Sequence, residues 1–148
     1  MITWICKPFN ILTTIELYKI LQLRSEVFVV EQKCPYLDCD EKDQASFHFG
    51  AWENDKLLAY VRILPPDLVY TEPSIGRVCT SPSARSSGLG KELMKKSIEQ
   101  TYNLFGQHPI RIGAQLYLLN FYQSFGFKQE GETYLEDFIE HIQMVKNI

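Results

Sequence analysis

The segment Arg85-Ser86-Ser87-Gly88-Leu89-Gly90-Lys91 puts two glycines and two cations where an apolar strand pattern gives way to a helical one. The first N–H groups of a helix have no internal partners, and the helix dipole leaves partial positive charge there. Glycines at 88 and 90 remove the side chains that would keep an anion off the backbone. The favoured chemistry is capture of a phosphate or pyrophosphate by main-chain amides, with Arg85 and Lys91 adding charge. A plain helix start, with one glycine kept for close packing, fits these residues as well. Two familiar phosphate loops do not fit. Aligned on Gly90-Lys91, a Gly-x-x-x-x-Gly-Lys-Ser/Thr loop needs glycine at Arg85 and a hydroxyl at Glu92, and a Gly-x-Gly-x-x-Gly fingerprint finds only Gly88 and Gly90.

Groups able to move protons are scattered. Glu31 ends a helical stretch and reads either as a free carboxylate or as a partner for Arg24 or Arg77. His48 and His141 titrate near neutrality but fall on predicted strands, where a histidine often only satisfies a core or an edge. Arg77 suits a carboxylate, a ligand's or the protein's own. The acidic stretch Asp38 to Asp43 either attracts a cation or is a solvated loop. Cys6, Cys34, Cys39 and Cys79 show neither a disulfide framework nor zinc spacing, so reduced thiols and no metal are expected. Cys79, in an apolar strand, reads as a buried structural thiol.

The elements that must position these residues follow from periodicity. Residues 2–9 predict a strand. Thr13-Thr14-Ile15-Glu16 fits a capping box, and Leu17, Ile20, Leu21, Arg24, Val27 and Phe28 recur on one helical face after it. The β-branched run Val27 to Val30 leaves the end of that helix open. Residues 33–43 predict a loop. Phe47 to Trp52 and Leu57 to Leu64 predict a hairpin, with Ile75 to Cys79 a third strand. A helix is predicted from about Ser87 to Tyr102, then a strand over 110–114, a short helix from Leu118 to Ser124, a strand from Phe127, a polar loop, and a last strand from His141 to Val145. Helices crossing between strands make a single mixed α/β (α+β) domain over residues 1–148.

Bulk properties agree with one soluble globular domain: 45% hydrophobic, 22% charged, net charge −3. That balance does not call for nucleic acid. No run is long enough to span a bilayer, and the N-terminus lacks the features of a signal peptide, so no membrane partner is expected.

Arg85-x-x-Gly88-x-Gly90 after a strand resembles the acetyl-CoA loop of the GNAT superfamily of N-acetyltransferases. Asn120-Phe121-Tyr122-Gln123-Ser124-Phe125-Gly126-Phe127 is similar to the later motif of that family. Further likeness to the ElaA-like branch runs through Leu23-Arg24, Val27 to Gln32, Cys34-Pro35-Tyr36, Ile75 to Val78, Gly113-Ala114-Gln115 and His141-Ile142-x-Met144. The resemblance implies a mixed, mostly antiparallel sheet, flanked by helices and splayed between the strand ending near Thr80 and the strand ending near Ala114. It implies an acetyl-CoA-dependent transfer of an acetyl group directly to a primary amine of a small molecule or peptide, in a cytoplasmic enzyme whose relatives are commonly dimers. The implied cofactor residues are Val78, Cys79, Thr80, Arg85, Ser86, Ser87, Gly88, Leu89, Gly90, Lys91, Asn120 and Tyr122. Tyr122 is the implied acid at the departing sulfur, a role suited to a hydroxyl of ordinary pKa about 10. Glu31 stands first among the candidate bases, ahead of His141 and His48. Tyr36 and Trp52 are expected to line the acceptor pocket. A non-catalytic CoA-binding module is the alternative.

Overall fold

A computed structural model describes all of residues 1–148. Strand β1 (Thr3–Pro8) leads to α1 (Thr14–Arg24), whose start is a complete capping box: the Thr13 hydroxyl accepts from Glu16 N–H, and the Glu16 carboxylate accepts from Thr13 N–H. The run Val27 to Val30 does not break the helix. Residues Ser25–Glu31 continue it as a π-helical stretch. After the loop come β2 (Phe47–Glu53), β3 (Lys56–Leu64) and β4 (Ser74–Thr80), then α2 (Leu89–Phe105), β5 (Ile110–Gln115), the short α3 (Leu119–Gln123), β6 (Phe127–Glu136) and β7 (Ile139–Lys146).

Two antiparallel sheets form, ordered β1-β2-β3-β4 and β5-β7-β6. The splay expected between the strand ending near Thr80 and the strand ending near Ala114 falls between these two sheets. Strands β4 and β5 begin side by side, where Arg111 N–H donates to Pro73 C=O at 3.1 Å, but they form no ladder. The polar loop expected before the last strand is absent. β6 runs on to Glu136 and turns over Asp137 and Phe138, both with positive φ (50° and 67°), the geometry of a two-residue hairpin.

The main core lies between α2 and the two sheets. Leu93 and Met94 of α2 are fully buried against Val61 and Ile63 on one side and Ile110, Ile112 and Met144 on the other. α1 covers the opposite face of the first sheet with Ile20, Leu23 and Val27, against Trp52, Leu57, Tyr60 and Cys79. β3 is thus buried on both faces and reads as an almost continuous apolar run. Trp52, expected at a pocket, is consumed in this packing.

At Gly50 on β2, an added Cβ would lie 2.6 Å from the Ala59 carbonyl oxygen on β3 and 2.9 Å from Leu57 Cδ1. Gly50→Ala must push two paired strands apart and is expected to cost about 1–3 kcal/mol. Denaturant unfolding at neutral pH checks this.

Candidate active site

Where β4 and β5 part, two cavities open and share a wall. The first, about 440 Å³, is lined by Glu31, Cys79, Thr80, Arg85, Gly90 and Phe121. The second, about 360 Å³, lies toward the β6–β7 hairpin and includes Tyr36, Tyr70, Gly113, Tyr134 and His141. Val27, Gln32, Val78, Tyr117, Leu118 and Tyr122 line both.

The glycine loop closes one end of the larger cavity. Ser86 and Gly88 both take positive φ (70° and 78°), and Gly88 is the cap from which α2 starts at Leu89. Ser87 Oγ donates to Ala84 C=O at 2.6 Å and stiffens the turn. Intrahelical bonding begins with Glu92 N–H on Gly88 C=O, leaving the amides of Leu89, Gly90 and Lys91 ahead of the helix ladder. An added Cβ at Gly90 would find only Thr80 Cγ2, at 3.9 Å, so the space over these amides is open. The Leu89 side chain is buried in the main core and pins the helix start. Ser86, Ser87, Gly88 and Lys91 are exposed, and Lys91 has no carboxylate partner. This groove, with free amides and an unpaired cation at its end, suits a phosphate or pyrophosphate group.

Arg85 faces Glu31 across the groove. Both guanidinium arms donate to the Glu31 carboxylate at 2.6 Å, and Nη2 also reaches Thr80 C=O at 3.3 Å. Glu31 therefore pairs with neither Arg24 nor Arg77. The two hydrogen bonds from Arg85 lower its pKa below the usual carboxylate value, so its basicity falls. It stands in the loop-side cavity and is absent from the walls of the other. That geometry makes Glu31 a partner of the loop and removes the reason for choosing it as a base.

Tyr122 is buried, with T-shaped contacts to Phe121 and Phe127. Its ring forms part of the wall common to both cavities. Burial pushes its phenol well above the ordinary value, so the hydroxyl keeps its proton at neutral pH. Asn120, two residues earlier on α3 and so turned to the opposite side, is exposed and lines neither cavity. Cys79 is buried and desolvation raises its thiol pKa strongly, which keeps it inert. All four cysteines are free.

On β4 the register with β3 steps from Cys79↔Tyr60 to Gly76↔Arg62, so Arg77 and Val78 share one position as a bulge. Arg77 carries φ 51°, a left-handed conformation that costs a branched or bulky residue about 1–2 kcal/mol. Its side chain holds it there: Nε donates to Asp38 Oδ1 at 2.8 Å and Nη2 to Asp38 C=O at 3.0 Å.

Asp38 belongs to a buried network that the sequence alone did not reveal. Fully buried Arg24 donates to Asp38 at 2.8 Å and to Asp43 at 2.7 Å. Arg62 donates to Asp40 at 2.7 and 2.9 Å and to Asp43 at 2.9 Å. The three aspartates of the acidic stretch are thus not free for a cation, because they are taken up by arginines from α1, β3 and β4. Burial pushes the Asp40 and Asp43 carboxyls up, but the guanidinium groups outweigh it, holding Asp40 well below the ordinary range and Asp43 below it. The network fastens the loop across the sheet, with Tyr36, Asp40 and Lys42 presented to the smaller cavity. His48 lies apart from both cavities. Its Nε2 faces Asp43 C=O at 2.9 Å and must donate, which leaves Nδ1 to accept from Tyr60 at 2.7 Å. Burial lowers its pKa, and it is a neutral structural histidine. The signal that could have found this network was three arginines among apolar residues: Arg24 on the apolar face of α1, and Arg62 and Arg77 between apolar neighbours on β3 and β4.

Comparison with known proteins decides the family. The family model for the acetyltransferase (GNAT) domain matches residues 20–148. The chain is 43% identical to Protein ElaA of Escherichia coli (strain K12) over 150 residues, covering 100% of this chain and 98% of that protein.

The chain belongs to the GNAT acetyltransferase family.

Its structure superposes on the crystal structure of Escherichia coli ElaA with a TM-score of 0.92, covering 99% of this chain and 100% of that one. An acyl-CoA N-acyltransferase from Pseudomonas aeruginosa gives a TM-score of 0.94 at 43% identity, covering 99% of each chain. A GNAT family acetyltransferase from Elizabethkingia anophelis, solved with acetyl-CoA bound, shares the fold at 17% identity, with a TM-score of 0.66 and coverage of 99% of this chain and 98% of that one. As a GNAT protein of the ElaA-like branch, the chain is an acyltransferase. No helix is long and apolar enough to cross a membrane.

Proposed function

We propose that residues 1–148 act as one N-acetyltransferase domain that passes an acetyl group from acetyl-CoA directly to a primary amine. The observation that carries this reading is Tyr122, a buried phenol in the wall between a cavity that begins at a helix-start anion cradle and a second cavity of small-molecule size. The acetyl-CoA-bound Elizabethkingia relative shares this fold and supports the choice of donor.

When bound, acetyl-CoA supplies the acetyl group as a thioester. The amides of Leu89, Gly90 and Lys91, with Arg85 to Gly88 ahead of them, hold the pyrophosphate. The backbone from Val78 to Thr80, on the edge of β4 left without a ladder partner, pairs with the pantetheine arm. A main-chain N–H at the Arg77–Val78 bulge polarises the thioester oxygen. Tyr122 donates its proton to the departing sulfur. Glu31 aligns Arg85 and takes no proton.

The test is binding of acetyl-CoA by calorimetry, together with release of free thiol over a panel of primary amines. Binding without release by any amine would leave only the non-catalytic alternative. Gly90→Val fills the open space beside Thr80. It is expected to weaken acetyl-CoA binding about tenfold or more, roughly 1.4 kcal/mol, at an unchanged melting temperature.

A further inference from the structure

Resting on the transfer reaction just proposed, we infer that His141, held by the Ile139 carbonyl and faced by Glu136, is the base that deprotonates the acceptor, and that the acceptor is a primary ammonium on an apolar or aromatic stem.

The tautomer of His141 is fixed by geometry. Nδ1 lies 2.7 Å from Ile139 C=O, and a carbonyl only accepts, so Nδ1 carries a proton. In the neutral ring Nε2 therefore presents its lone pair. Glu136 Oε2 lies 3.5 Å from Nε2. A proton reaching Nε2 meets an acceptor-only carboxylate placed to pair with the imidazolium. The Glu136 side chain is 58% exposed, which gives the proton a route to solvent.

The register places these groups together. His141 on β7 stands opposite Gln115 on β5 and Tyr134 on β6, and Tyr134 stacks on its ring at 5.9 Å. His141, Glu136 and Tyr122 all line the smaller cavity. The other charged groups facing that cavity are Asp137 from the hairpin turn, Lys42 and Asp40 from the loop, and Arg62 and Arg77 from β3 and β4. Arg62 and Arg77 are committed to aspartates, and Asp40 is committed to Arg62. Among the acidic groups, Glu136 is the one that stands within 4.0 Å of a His141 ring nitrogen.

The rest of the wall describes the acceptor. Aromatic side chains line the wall, and polar atoms make up the larger part of its exposed surface. The Tyr134 and Tyr70 hydroxyls converge over Gly113, 3.0 and 3.3 Å from where a Cβ would stand. Tyr36 and Tyr70 are backed by Arg77 and Arg111 at 5.8 and 6.0 Å, and so form fixed aromatic walls. A volume of about 360 Å³ suits a short stem.

Protons and bonds balance. Nε2 of His141 takes one proton from R–NH3+, and that proton leaves by way of Glu136. The freed nitrogen lone pair attacks the thioester carbon, forming C–N as C–S breaks. Tyr122 protonates the sulfur, and the surplus proton on the new amide nitrogen restores its hydroxyl. The net products are the amide, free CoA thiol and one proton.

The experiment uses the full chain with acetyl-CoA and two probe acceptors, 2-phenylethylamine and hexylamine, and follows thiol release from pH 5 to pH 9. The expected wild-type profile of kcat/KM rises through an acid limb. His141→Gln lowers kcat about a hundredfold or more and abolishes that limb, while acetyl-CoA affinity measured by calorimetry is kept. Added imidazole restores part of the rate to His141→Ala. Glu136→Gln, at an exposed position, lowers kcat less than His141→Gln. The base assignment is overturned if His141→Gln retains rate and limb, or, where that variant fails to fold, if Glu136→Gln keeps the full wild-type rate. Wild type that binds acetyl-CoA but acetylates neither probe overturns the acceptor class. Failure to bind acetyl-CoA strikes the underlying reaction itself.

Discussion

Replacing Tyr122 by phenylalanine is expected to lower kcat about a hundredfold, roughly 2.7 kcal/mol, while the KM for acetyl-CoA changes little. The ring keeps its T-shaped contacts with Phe121 and Phe127, so the wall between the cavities survives and only the hydroxyl is lost. The deficit should depend on the leaving group. A thioester of a more acidic thiol needs less help from an acid, and with such a donor the variant should recover much of the wild-type rate. Because burial raises the Tyr122 phenol, the acid form persists above the ordinary value of about 10, and wild type should show no basic limb from this group below that pH. Full activity of the variant, under conditions where chemistry limits the rate, would remove Tyr122 from the mechanism.

Arg24→Met should cost about 3–5 kcal/mol at pH 7, because Asp38 and Asp43 are left buried with a lost partner. The pH dependence gives a sharper signature. In the intact protein the Asp40 and Asp43 carboxyls are held below their unfolded value of about 3.9. The stability they contribute is fully present above that value and is lost as pH falls through their lower folded values. Wild-type stability should therefore begin to fall off below about pH 4 on their account. In the variant, burial is less opposed at Asp43, whose proton affinity rises, and acid neutralises the orphaned charge. The gap between variant and wild type should be widest at neutral pH and narrow on acidification. Urea unfolding from pH 3 to pH 7 measures both curves, and a pH-independent gap would contradict the account.

The residues that could be read in advance were those whose role is local. Thr13 and Glu16 make their capping box from four neighbours, and Gly88 marks a helix start through its own backbone. The strands with alternating or continuous apolar patterns were found for the same reason. Pairings between distant residues could not be read. Glu31 and Arg85 are 54 positions apart, and Asp38 and Arg77 are 39 apart. Charge type alone does not say which carboxylate meets which guanidinium. The Val27 to Val30 run was ambiguous because β-branched propensity is weak against tertiary packing, and Val27 is drawn into the core under α1. Trp52 misled for a similar reason: a large aromatic at a strand end fits a pocket wall or a core, and only the position of α1 decides. His141 was legible as a titratable group, but the Ile139 carbonyl and Glu136 that give it direction come from the tight β6–β7 hairpin, which a polar stretch had concealed.

The division between β4 and β5 has a consequence for how the molecule holds together. Every strand of the first sheet lies within residues 3–80, and every strand of the second lies within residues 110–146. Each half of the chain therefore completes its own ladder without waiting for the other, which keeps strand pairing short in sequence. What joins the halves is side-chain packing on α2 and a thin line of bridges. These include the reciprocal Gln32–Gln115 amide pair at 3.0 and 3.2 Å, and the Arg111 amide on Pro73. No ladder hydrogen bonds cross the gap between β4 and β5, so parting there breaks fewer backbone bonds than parting either sheet. A molecule seated in the gap touches both units, so occupancy ties together what the backbone leaves separate. The amides flanking the gap should be the ones whose hydrogen exchange slows most when it is filled.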